Sequence, residues 1–363
     1  MENLAMMLFN DCFRGINILL TGHTGFKGSW LALWLRQLGA NVTGIALPPD
    51  THPAHWDLLR LSLNSHFADI NNRQDITAVM QQAAPELVIH FAAQPLVRAS
   101  YEDPIATWQT NVMGTVNVLE ACRHQPSVKA IVVITTDKVY ENAERGEHFI
   151  ESDPLGGHDP YSASKAACEL VVQSYRRSFF SKQNVLVASA RAGNVIGGGD
   201  WARDRLVPDI IRAMHSDSPL MIRHPQAIRP WQHVLDSLSG YLCVAQHLLM
   251  GEADKARAWN FGPDQRDNKT VADVLVQMKT HWPELIWSEA PPPHVHEALN
   301  LMLDSRAAQT QLQWQPVWNF AQTAQHTAQW YQQFYQHNNI ISVQQLDFYI
   351  RCAQQAGLIW VSH

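Results

Sequence analysis

The chain has no run of apolar residues long enough to span a bilayer. Its opening residues, Met1 to Phe13, lack the charged segment, apolar stretch and cleavage site of an export signal. A cytoplasmic protein with no membrane partner is expected. Cysteine pairing is missing as well. Cys12, Cys122, Cys168, Cys243 and Cys352 are odd in number and lie mostly in apolar segments, and none belongs to a Cys-x-x-Cys motif, so buried thiols are expected instead of a disulfide framework. Basic residues are dispersed, and 27 Lys and Arg stand against 33 Asp and Glu, which excludes the electrostatic footprint of a nucleic-acid binder. There is no low-complexity tract and no internal repeat. The 18 histidines invite a metal reading, but His294-x-His296, beside a run of prolines, has no carboxylate or cysteine cluster to complete a site. No metal is expected.

What is present is an ordinary globular composition, 46% hydrophobic over 363 residues, long enough for two domains or one with a sizeable lobe. From Ile16 onward, short aliphatic runs alternate with segments of helical period, the pattern of βαβ units on a sheet buried on both faces. Strands are predicted at Ile16–Leu20, Val42–Ala46, His66–Ala68, Leu87–Phe91, Ala130–Thr135 and Val185–Ser189. The helix after the first strand presents Leu31, Trp34, Leu35 and Leu38 on one face and stops at Gly39. The expected fold is α/β, a doubly wound parallel sheet of Rossmann type, over residues 14–190 with returning segments near 231–261 and 316–357. Residues 191–230 and 262–315, rich in Gly, Asp, Arg and Pro, predict a smaller, discontinuous C-terminal lobe. Helices near Thr327–Tyr335 and Val343–Ala356 are expected on the outside.

The first strand runs into Thr21-Gly22-His23-Thr24-Gly25-Phe26-Lys27-Gly28. Glycines at this spacing, between a strand and a helix, let the backbone approach a pyrophosphate at the helix N-terminus, so a dinucleotide site is predicted. An acidic residue at the end of the second strand would select NAD, yet Ala46-Leu47-Pro48-Pro49 stands there and Asp50 follows late, while Lys27 offers a phosphate contact. Asp69, followed by Ile70, ends the third strand, where it either accepts from an adenine amino group or caps the next helix. Phe91, Ala92 and Ala93 supply small or flat surface for a cofactor after the fourth strand. The fifth strand ends in Thr135-Thr136-Asp137-Lys138, at the edge where such sheets bind ligands. Tyr161 and Lys165, four apart on one helix face, form a pair in which an ammonium favours a phenolate base.

Together these motifs resemble the extended short-chain dehydrogenase/reductase superfamily over nearly the whole chain. Asp137-Lys138 in place of an aspartate–glutamate pair, the His23 and Lys27 variant of the glycine turn, Arg191-Ala192-Gly193-Asn194-Val195-Ile196-Gly197-Gly198-Gly199-Asp200-Trp201 and Arg229-Pro230-Trp231-Gln232-His233-Val234 are similar to the CDP-glucose 4,6-dehydratases. The resemblance implies bound NAD, a nucleotide-sugar substrate and a homodimer built on helices that include the one carrying Tyr161. It also implies a place in making deoxysugar precursors of polysaccharide. Gln94, Arg98, Ser100 and Tyr101 would lie beside the sugar, and Asn194, Arg205 and Arg229 by the nucleotide and its phosphates. Asn111 would order a helix near the site. In the implied reaction Tyr161 takes the 4-hydroxyl proton with Thr136 on the same oxygen, Asp137 serves as acid, and Lys138 acts either as the base at carbon 5 or as a cation stabilising the enolate. An inverting UDP-N-acetylglucosamine 4,6-dehydratase, a sugar-nucleotide 4-epimerase and a non-catalytic binding module are the competing readings.

Overall fold

The computed structural model describes residues 7–144, 146, 148–215, 219–291, 298 and 300–362. His294 and His296 lie outside them. Seven parallel strands form the central sheet: β1 (Asn17–Thr21), β2 (Asn41–Ala46), β3 (Asn64–Phe67), β4 (Leu87–His90), β5 (Ala130–Ile134), β6 (Leu186–Ala192) and β7 (Ala258–Phe261). Their order across the sheet is β7-β6-β5-β4-β1-β2-β3. The strand order therefore reverses between β1 and β4, and their carboxyl ends open a crevice at that switch point. All six predicted strands of the first half fall within a few residues of the observed ones, and the Trp259–Phe261 strand joins the same sheet beside β6.

Burial on both faces follows the two-residue period of a strand. Ile18, Leu20, Val132 and Ile134 point into one core with helix α1 (Phe26–Gln37). Leu19, Val88, Ile131 and Val133 point into the other, covered by the helices at Arg73–Ala83 and Gly114–Arg123 and by α2 (Pro160–Ser178). Helix α1 ends as its sequence predicts, with Gly39 at φ 79°. Its burial is wider than one face, since Trp30 and Leu33 are buried along with Leu31, Trp34 and Leu35. The reason lies at the far end of the chain. Helices α3 (Val234–Leu249), α4 (Phe320–His337) and α5 (Ser342–Gln355) join α1 in a thick aromatic layer, with Trp34 edge-on to Tyr349 and Trp330 edge-on to His55. The two late helices are thus part of the core on their inner faces, where Trp330, Leu346 and Tyr349 are fully buried.

Two long stretches that read as irregular contain regular structure. Helices occur at Leu206–Met214, Val271–Lys279 and Arg306–Gln311, and small sheets pair Ile228–Pro230 with Asn268–Thr270 and Leu220–Ile222 with Trp287–Glu289. No helix among the described residues is long and apolar enough to cross a membrane, and no group of three metal-ligating side chains occurs among them.

Candidate functional site

A cleft of about 750 Å³ runs across the carboxyl ends of the strands. One wall is the glycine turn. Gly22 takes φ 75°, and a side chain there would press on the Ala92 backbone at 2.8 Å; one on Gly28 would collide with the Gly22 carbonyl. The turn is therefore held tight against β4, leaving Thr24, Gly25, Phe26 and Lys27 to line the cleft. Asp69, Ile70, Phe91, Ala92, Ala93 and Asp50 line the same wall. The cap of the Arg73–Ala83 helix is Asn72, which accepts from the Gln74 and Asp75 amides, so Asp69 is left facing the cleft with one oxygen holding the Asn71 amide at 2.9 Å.

His23 departs from expectation. Its ring turns beneath β2 against Gly44, bonds Ser65 Oγ at 2.7 Å and meets Trp56 edge-on, fully buried and away from the cleft. Burial lowers its pKa to about 4, so it packs as a neutral ring. Lys27 is deeper than a surface phosphate contact would be: Nζ donates to the Tyr241 hydroxyl at 3.3 Å, and burial, aided by Arg205, pulls its pKa down to about 7.

The floor carries the reactive groups. Asp159 caps α2 through the Ser162 amide and hydroxyl, and Pro160 opens the first turn, which sets Tyr161 at the lip of the helix. Tyr161, Thr136, Asp137 and Lys138 form a chain. The Tyr161 hydroxyl bonds Thr136, Thr136 Oγ1 reaches Asp137 Oδ1 at 2.9 Å, and Lys138 Nζ lies 3.3 Å from that same oxygen. Asp137 is 1% exposed and sits just under the lining, while Thr135, Thr136 and Lys138 reach it. Burial pushes the Tyr161 phenol up to about 12, the Thr136 hydrogen bond and Arg205 pulling back and Asp137 adding to the rise. Lys165 is also at the cleft, but Nζ donates to the Ile134 carbonyl at 3.1 Å and burial lowers its pKa. Arg205 adds a cation that acts on Tyr161 beside the lysine expected from the spacing.

On the wall opposite the glycine turn Arg98, Asn194, Arg205 and Arg229 all line the cleft. Arg98 pairs with Asp204 at 3.2 Å and Arg205 with Asp200 at 3.0 Å, while Arg229 donates to the carbonyls of Ile228 and Ala298. Gln94, Ser100 and Tyr101 do not line it. Gln94 binds Thr107 and the Leu96 amide, and Ser100 donates to the Val97 carbonyl, so both fold the loop that presents Arg98. Asn111 lies in a π-helical turn, a frequent mark of functional sites, and joins Gln94 to Ser164 of α2.

Sequence reasoning missed His90, Tyr140, Glu169 and Arg191 as contributors beneath the floor. Thr115 donates to the Asn111 carbonyl and so accepts from His90 Nε2, while His90 Nδ1 accepts from Thr21, whose oxygen takes the Phe91 and Ala92 amides. That relay ties the glycine turn to the Asn111 turn. The available signal for Glu169 was its place four residues after Lys165, a charge on the same buried helix face.

The chain matches the NAD dependent epimerase/dehydratase family over residues 18–262. It is 46% identical over 333 residues, 90% of this chain and 93% of the relative, to the CDP-glucose 4,6-dehydratase of Salmonella typhimurium. A dTDP-glucose 4,6-dehydratase of Xanthomonas campestris is 26% identical, covering 86% and 92%. Among solved structures, the dTDP-glucose 4,6-dehydratase of Bacillus anthracis in complex with NAD superposes with a TM-score of 0.74 at 23% identity, covering 89% and 98%. The fold is shared with it.

Proposed function

The chain belongs to the NAD dependent epimerase/dehydratase family, and from that premise we propose that it converts CDP-glucose to the 4-keto-6-deoxy sugar nucleotide with loss of water. The observation that carries this is the Tyr161–Thr136–Asp137–Lys138 chain, which sets an acid and a cation beside a tyrosine and a threonine at one point of the cleft floor. An epimerase would have no use for the pair. The glycine turn, Asp69 and the Phe91–Ala93 surface would hold NAD, and residues 191–230 and 262–315 would form the lobe that holds the nucleotide sugar, with Arg98, Arg205, Arg229 and Asn194 toward the diphosphate. Guanidinium forks suit that task.

NAD, when bound, supplies the hydride acceptor for carbon 4, the donor for carbon 6 and a positive charge near the phenol. Tyr161 takes the proton of the 4-hydroxyl, Thr136 holding the same oxygen; with its pKa near 12 the phenol needs that added charge and Arg205 to act as a base. The resulting ketone acidifies carbon 5. Asp137 gives a proton to the departing 6-hydroxyl, and Lys138 faces the carbon 5 side as base or as the cation beside the enolate. Tyr161→Phe should lower kcat on the order of a thousand-fold with little change in KM, read in steady-state assays.

The direct test incubates the protein with NAD and, separately, CDP-glucose, UDP-glucose, dTDP-glucose and UDP-N-acetylglucosamine, with products read by mass spectrometry. Loss of one water from CDP-glucose is the expected result. An isomer of unchanged mass would overturn the reading in favour of epimerisation, and water loss from UDP-N-acetylglucosamine alone would replace the substrate. A cytoplasmic setting fits the five free thiols. A homodimer through α2 fits the exposed Leu170 on that helix and the exposed Ile105, Trp108 and Met113 on the helical segment packed against it, and light scattering would return twice the chain mass.

A further inference from the structure

An ion pair buried under the cleft floor does not line the cleft. Glu169, on α2 one turn after Lys165, is 5% exposed, and Arg191, on β6, is 3% exposed. Glu169 Oε1 accepts from Thr135 Oγ1 at 2.6 Å and from Arg191 Nε at 2.9 Å, and Oε2 accepts from Ser189 Oγ at 2.6 Å. Arg191 Nη1 donates to the Tyr140 hydroxyl at 2.8 Å and to the Glu151 carbonyl, and its guanidinium lies over the Tyr140 ring. Tyr140 in turn donates to Asn260 of β7 at 2.6 Å.

The two residues gripped this way, Thr135 and Tyr140, flank Thr136, Asp137 and Lys138. We propose that Glu169 and Arg191 are positioning residues that clamp both flanks of this turn, holding the acid and the cation at the height of the sugar's carbons 5 and 6. This rests on the dehydratase reading above. A buried ion pair is a poor device for stability alone, because desolvating two charges offsets most of their attraction. Its value here is geometric: the Val139 carbonyl and the Glu141 amide tie the backbone of the turn to Gly156 and Pro154, the ion pair fixes the side chains at both its ends, and displacement of about 1 Å in a reacting group lowers rates on the order of a hundred-fold. Tyr161 and Lys165 share α2 with Glu169, whose charge also acts on Lys165, but a fault passed through them would slow oxidation at carbon 4 and leave no reduced nicotinamide to accumulate.

The test uses the full chain with NAD and CDP-glucose. Glu169→Leu combined with Arg191→Met replaces the pair by apolar side chains, which a protein core tolerates better than a single unpaired charge. The expected result is a folded protein with kcat lower on the order of a hundred-fold, KM near that of the wild type, and reduced nicotinamide accumulating in its near-ultraviolet absorbance, because oxidation at carbon 4 outlasts the impaired loss of water. Ser189→Ala removes a bond to the same carboxylate with no link to the turn, and should lower the melting temperature while kcat stays. If the double variant does not fold, Tyr140→Phe cuts one arm of the clamp with the ring kept, and a roughly tenfold fall in kcat with reduced nicotinamide accumulating is expected. Unchanged kcat in whichever of these clamp variants folds, or an equal loss in Ser189→Ala, would overturn the clamp. A wild type that removes no water would overturn the functional reading instead.

Discussion

Two carboxylates are buried in this protein about equally deeply, and their surroundings push their pKa values in opposite directions. Glu169 lies beneath the catalytic turn; burial alone would raise its pKa, yet the Arg191 guanidinium and the Ser189 and Thr135 hydroxyls hold it below the ordinary value. Asp236, in the first turn of α3, is wedged against α5, where Oδ1 accepts from the Val317 amide at 2.7 Å and from the Tyr349 hydroxyl at 2.8 Å. No cation pairs with it among the described residues, and burial raises its pKa to about 7. The difference teaches that depth does not decide protonation. What decides it is whether a fixed positive charge is buried alongside, and Arg191 supplies one to Glu169 where Asp236 has none among the described residues.

The largest break in that comparison is Arg191→Met alone. Glu169 would be left charged and buried without its partner, and Tyr140 without a donor, so urea unfolding should show a loss of about 5 kcal/mol. A smaller effect is expected from pH at the other acid. Asp236 is held near 7 in the folded chain against 3.8 in the unfolded one. Between those values the folded chain keeps a proton that the unfolded chain has released, so this contribution is fully present below about 4, declines as pH rises and is gone above about 7. The decline is on the order of 4 kcal/mol, and Asp236→Asn should remove it, flattening the difference in unfolding midpoint between about pH 5 and about pH 8. Smallest is Tyr349→Phe. Loss of one donor should cost about 1 kcal/mol and move the decline to higher pH, since that hydroxyl favours the charged acid.

The parallel sheet was legible because strands covered on both faces must be nearly continuous aliphatic runs, and Leu87–His90 and Ala130–Ile134 are such runs. The glycine turn, Tyr161 and the Thr136–Lys138 turn were legible from their places at strand and helix ends. Side-chain direction was not. His23 follows a glycine and could have turned either way; the gap over Gly44 decided it. Lys165 shares a helix face with Tyr161, yet its ammonium donates to the Ile134 carbonyl at the end of β5. Helices at Leu206–Met214 and Val271–Lys279 were hidden inside stretches dominated by Gly, Asp and Pro, whose turn chemistry masks short periodic segments. Arg191 was visible in a motif, but its partner stands on another element, and only the packing of α2 against the sheet joins them.

The rim of the cleft depends on chain that comes much later. The carbonyl of Gly198 takes the Trp30 indole hydrogen, and Asp200 exchanges two hydrogen bonds with the Tyr331 hydroxyl of α4, so the turn that carries Asp200 toward Arg205 is seated on a helix more than a hundred residues downstream. Synthesis runs from the N-terminus, and folding units form as they emerge. The sheet strands through β6 can therefore assemble while this turn still has no seat, and the cleft acquires its finished rim only when the end of the chain has been made. The turn around Asp200 therefore gains its two bonds to Tyr331 only once α4 has been made.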